Sequence, residues 1–157
     1  MTKARVSSSL FVASLAVVQL FSHEARAVSC TLVSVGSLTF SEYRWNEPRS
    51  GVASTTLIYR CTSVKAGDAI SVELSTGASN SYLLRQMVGK DRLSYNVFLD
   101  AQWLTVWGDG YTGGSHRYAA LLRNGALVSV PIYARILPNQ RVSAGSYSDA
   151  IVVTVNF

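Results

Sequence analysis

Beyond residue 27 the sequence holds one histidine, His116, in a Gly/Ser-rich run. Nucleophilic catalysis needs a base within reach of its nucleophile and a third group to orient that base. His116 has no neighbouring Cys and no carboxylate at a spacing that points toward it, so a solvated loop side chain is the plainer reading. Asp100 and Asp109 could form the carboxylate pair of a glycoside hydrolase. Their surroundings favour turn roles instead, because Asp109 lies between two glycines and Asp100 ends an alternating apolar run. There is no Gly-x-Ser-x-Gly elbow and no phosphate loop. A metal site requires several convergent His, Cys or carboxylate ligands, and the sequence clusters none. Neither an enzyme, a metal nor a cofactor is expected.

Three aromatic residues, Trp103, Trp107 and Tyr111, surround a glycine-rich stretch. They read either as buried packing or as an exposed contact for sugars or surfaces, since aromatics dominate recognition patches.

Those residues follow an address segment. Residues 1–27 have the form of a secretory signal peptide: Lys3 and Arg5, an apolar stretch from Leu10 to Phe21, then Ala25-Arg26-Ala27 as a small-x-small cleavage site. The stretch is shorter than the roughly 20 residues needed to span a bilayer. An uncleaved anchor is the lesser reading, and no stable membrane insertion is expected. Cleavage leaves residues 28–157 as one domain. Removing Lys3, Arg5, Arg26 and Glu24 takes the formal charge from +5 to +3. The remaining cations are scattered, which argues against nucleic acid. In an oxidising compartment Cys30 and Cys61 read as a single disulfide, with free thiols or a metal pair as the lesser alternatives.

The elements that must position these groups are strands. Apolar residues alternate at Leu57, Tyr59 and Cys61; at Ile70, Val72 and Leu74; at Leu93, Tyr95, Val97 and Leu99; and at Val128, Val130, Ile132 and Ala134. A last run, residues 147–157, sets Ile151, Val153, Val155 and Phe157 on one face. Period two marks strands with one face in a core. Asn124-Gly125 predicts a two-residue hairpin turn joining residues 117–123 to 126–136, with a helix over 118–123 as the rival. Short strands at regular spacing predict an all-β, antiparallel sandwich of two sheets.

Read end to end, the mature chain resembles the spore coat protein U domain family, which includes subunits of archaic chaperone–usher pili. The residues that carry the likeness are Cys30, Leu38-Thr39-Phe40, Cys61, Arg85-Gln86-Met87, residues 93–100, Trp107-Gly108-Asp109-Gly110, residues 131–136, Gln140, and Gly145-Ser146-Tyr147-Ser148-Asp149 leading into residues 151–157. The resemblance implies an immunoglobulin-like sandwich that lacks its final strand. It implies a groove walled by Ile151, Val153, Val155 and Phe157, filled first by a periplasmic chaperone and then by a strand of a neighbouring pilus subunit, with delivery through an outer-membrane usher. It also implies export through the periplasm to the cell surface or a pilus. The mature chain departs from a polymerising pilin in one respect: only Val28 and Ser29 precede Cys30, too few for a donor strand. That points to a fibre tip or to a self-complete secreted module.

Overall fold

The computed structural model describes residues 27–47, 51–120 and 123–157; the proposed leader lies outside the described residues. Among the described residues there are eight strands: β1 (Ser29–Val35), β2 (Val52–Thr62), β3 (Ala69–Leu74), β4 (Arg85–Val88), β5 (Arg92–Phe98), β6 (Arg117–Ala120), β7 (Leu127–Ile136) and β8 (Val153–Asn156), with one 3-10 turn at Gly77–Ser79. Among the described residues no helix is long and apolar enough to cross a membrane. The strands form a five-stranded sheet, β1-β2-β7-β5-β4, and a three-stranded sheet, β6-β3-β8. All pairings between these strands are antiparallel.

The alternating apolar residues build the core as their period requires. Leu57, Tyr59 and Cys61 from β2, Ile70, Val72 and Leu74 from β3, and Val130, Ile132 and Ala134 from β7 are all buried. Burying a Leu, Ile or Val side chain contributes roughly 1.5–3 kcal/mol, so this interior is the main stabilising force. Strand β5 departs from simple alternation, since six consecutive residues from Leu93 to Phe98 are buried. Its second face is covered by polar partners. Ser94 N–H donates to Gln140 Oε1 at 2.7 Å, Gln140 Nε2 donates back to Ser94 O at 2.8 Å, and Asn96 Nδ2 donates to the Tyr82 carbonyl at 2.8 Å. The Gln140 amide thus pairs with Ser94 as a strand's backbone would.

Two expectations need correction. The Asn124-Gly125 turn does not close a hairpin. β6 pairs with β3 and β7 pairs with β2 and β5, so the chain passes from one sheet to the other here. A primed turn needs positive φ at both central residues. Gly125 has φ 73°, but Asn124 is not among the positive-φ residues. The turn is instead tied to β2, with Gly125 N–H donating to Cys61 O and Val64 N–H to Asn124 Oδ1. Nor is the last run one strand. Ser148 bridges to Val88 on the larger sheet, whereas Val153–Asn156 pair with β3 in the smaller. The chain changes sheets between them, and no glycine or proline marks the change.

Candidate functional site

A groove opens where the two sheets fail to cover each other. Its cavity is about 1050 Å³, floored by core residues including Leu74, Met87, Leu93, Tyr95 and Val97. Residues 35–46, residues 142–145 and 147–149, and Ile151 and Val153 complete its lining. β8 is the last strand of its sheet and β1 the last of the other. Among the described residues β8 pairs only with β3, so its other edge carries ladder groups with no described strand opposite. Such an edge is a template for one more strand.

The groove holds one deep polar cluster. Tyr95 is buried in its floor and donates its hydroxyl to Asp149 Oδ2 at 2.7 Å. Burial, and then the adjacent carboxylate of Asp149, push the Tyr95 phenol well above its ordinary value. Asp149 Oδ1 accepts from Ala78 N–H at 2.9 Å and from Ala150 N–H at 2.8 Å. A Cβ on Gly77, whose φ is 65°, would collide with this carboxylate. Asp149 therefore ties the larger sheet to the 3-10 turn where the chain crosses over.

Behind the floor lies Arg85, with no exposed surface. Its guanidinium donates to Ser75 O through Nε at 3.0 Å and Nη2 at 2.8 Å, to Trp107 O at 2.8 Å, and to Asn96 Oδ1 at 2.8 Å. It also lies 5.3 Å from the Tyr82 ring centroid. Among the described residues no carboxylate forms an ion pair with it. Burial holds its pKa below the usual arginine value, opposed in part by the nearby Asp149 charge; its direct hydrogen-bond partners are neutral oxygens. Arg85 shares an inward face with Met87, and a charge at an inward strand position was the available signal for this role.

The singled-out residues separate. Cys30 and Cys61 are bonded, with S–S 2.04 Å, and stand opposite each other on β1 and β2. Ile151 and Val153 line the groove. Val155 packs against the core opposite Val72, and Phe157 is 55% exposed beyond the strand. Trp107 must be withdrawn as a surface contact: it is fully buried, and its Nε1–H donates to Val72 O at 2.8 Å. Trp103 is half-exposed with its ring 4.9 Å from the Arg135 guanidinium, and Tyr111 is exposed with its ring 5.6 Å from His116.

The two acids are occupied in their own turns. Asp100 accepts from the backbone N–H groups of Gln102, Leu104 and Thr105, and Asp109 from those of Tyr111, Thr112 and Gly113. The Leu104 N–H first, with those of Thr105 and Gln102, holds Asp100 below the usual carboxylate range. For Asp109 the Thr112 hydroxyl is the largest cause, followed by the loop N–H groups. A glycosidase general acid needs the opposite shift.

The domain is an all-β antiparallel sandwich of two sheets with a groove beside β8. The Spore Coat Protein U domain model matches residues 16–154, and the chain belongs to that family. It is 27% identical over 140 residues to Protein U of Myxococcus xanthus, covering 89% of this chain and 62% of that protein. The chain thus spans less than two thirds of that relative's length. A similar solved structure is the CsuC–CsuE chaperone–tip adhesion subunit pre-assembly complex from archaic chaperone–usher Csu pili of Acinetobacter baumannii. The match has a TM-score of 0.59 at 19% identity, over 83% of this chain and 40% of that one. At that identity the likeness is one of fold.

Proposed function

We propose that the chain is a non-enzymatic subunit of a secreted surface or coat fibre, whose groove is completed by a strand from another protein. The observation that carries this reading is the open groove with its apolar floor beside the free edge of β8. Support comes from the family and from the fold likeness to a chaperone-bound pilus tip subunit. On this reading residues 1–27 direct export and 28–157 form the domain. A periplasmic chaperone lends a strand first, another pilus subunit replaces it, and an outer-membrane usher passes the product to the surface. Ile151 and Val153 meet alternate side chains of the incoming strand, the β-augmentation mode of recognition.

The test is periplasmic expression with and without an archaic-type chaperone. Co-expression should yield a stable one-to-one complex, and expression alone should yield a degraded or aggregated chain. A soluble, high-melting monomer that ignores the chaperone would refute the reading. A second reading, a self-complete adhesin or coat module, draws on the exposure of Tyr111, Leu104 and Trp103. A surface-binding assay on that monomer tests it, with Trp107 excluded as a contact.

A further inference from the structure

Residues 36–46 flank the groove without belonging to either sheet. The segment leaves the edge of the larger sheet at Gly36, whose N–H donates to Thr56 O at 3.1 Å. A Cβ there would collide with the Thr55 hydroxyl, so glycine permits this close exit. Phe40 then packs edge-on against Tyr95 of β5, with ring centroids 5.9 Å apart and planes at 76°. Beyond it the Tyr43 hydroxyl accepts the Gln140 N–H at 2.8 Å, and the Arg141 guanidinium lies 4.3 Å from the Trp45 ring centroid. The segment therefore runs from the β1–β2 edge across the inner face of the larger sheet to the far flank of the groove.

Its manner of attachment is unusual for a chain that covers a core. Leu38 and Phe40, two residues apart, are half-buried against the floor as strand side chains would be. Yet among the described residues no backbone–backbone hydrogen bond holds residues 37–43. Over residues 37–43 the contacts are those of side chains, so lifting that stretch breaks no ladder.

We infer that residues 36–46 are a detachable strap, which shields the groove floor in place of the missing strand and is displaced when a strand enters. The physical need is clear, since an uncovered apolar groove beside a free strand edge invites aggregation. This inference rests on the strand-accepting reading given above, and its test separates the two.

The probe is a fluorescent, lysine-capped peptide of alternating valine and threonine, added to the oxidised full chain and followed by anisotropy and by hydrogen exchange. On binding, amides of β8 should gain protection while the Gln140 amide, whose acceptor is the Tyr43 hydroxyl, loses it. The double variant Tyr43→Phe, Arg141→Ala should associate with the peptide about tenfold faster, from losing one hydrogen bond and one cation–π contact. Both positions lie at the rim, so the fold should persist. If the peptide binds but the Gln140 amide keeps its protection and the variant binds no faster, the strap is a fixed wall and the inference fails while the groove reading stands. If neither protein binds the peptide and β8 protection never changes, the groove reading fails and the inference with it.

Discussion

Replacing Arg85 by methionine should destabilise the domain by about 2–4 kcal/mol. Methionine retains most of the side-chain volume and fits a site that is apolar apart from its acceptors. The loss comes from those acceptors. Ser75 O and Trp107 O each have Arg85 as their partner, while Asn96 Oδ1 keeps the Val97 N–H at 3.0 Å. Two buried carbonyls are thereby orphaned, at about 1–3 kcal/mol each. Part of that is offset, because a desolvated guanidinium is no longer buried. For a domain of this size the net loss corresponds to a melting point lower by on the order of 10 °C.

The measurement is urea unfolding of the oxidised protein, followed by tryptophan fluorescence and by circular dichroism. Arg85→Lys supplies the critical comparison. An ammonium carries the same charge but cannot reproduce the fork that reaches three acceptors at once. It should lose nearly as much as methionine. If both variants unfold within about 0.5 kcal/mol of the parent, the range of ordinary surface substitutions, Arg85 is not the tie described here.

Three further outcomes are expected. Cys30→Ser with Cys61→Ser should lower stability by about 3–4 kcal/mol on the loop-entropy account of a 31-residue separation, and unchanged urea midpoints would contradict it. Trp107→Ala should cost about 3–5 kcal/mol while Trp103→Ala stays below about 1 kcal/mol; similar losses at both positions would overturn their assignment to core and surface. Asp91, Asp100 and Asp109 all have carboxyls held below their ordinary value by hydrogen bonds. Their contribution is therefore present above the unfolded pKa of about 4 and lost as pH falls through the lower folded values. Melting temperature should be level from neutral pH down to about pH 5 and drop below pH 4, less steeply in Asp100→Asn with Asp109→Asn. An equally steep drop in that double variant would remove these two acids from the account.

Much of the fold was legible because strand period is a local signal. Leu57, Tyr59 and Cys61, or Ile70, Val72 and Leu74, declare an inward face within six residues, and the structure buries all six. Sheet membership is not local. Asn124-Gly125 has the composition of a hairpin turn, but whether β6 meets β7 or β3 depends on contacts about fifty residues away. The same limit applied to residues 147–157, whose alternation continues across a change of sheet. Trp107 and Tyr111 share one short loop, yet an indole N–H bonded to Val72 O is buried while the phenol four residues on faces solvent. Composition alone does not separate those environments.

The change of sheet also accounts for the groove. Had residues 147–157 stayed on one sheet, they would have extended the β4 edge or paired along β3 for their full length. Instead the bridge at Ser148 commits the chain to the larger sheet, and five residues later Val153 is committed to the smaller. Asp149 lies at the crossing and satisfies Tyr95 from one sheet and Ala78 from the turn beyond the other. Among the described residues β8 has a partner strand on one side, and side chains of residues 36–46 line the groove beside it. A strand laid there would supply both things the domain lacks, hydrogen bonds for the β8 edge and apolar side chains for the floor. On the reading proposed above, residues 36–46 supply only the second, so an entering strand would displace them.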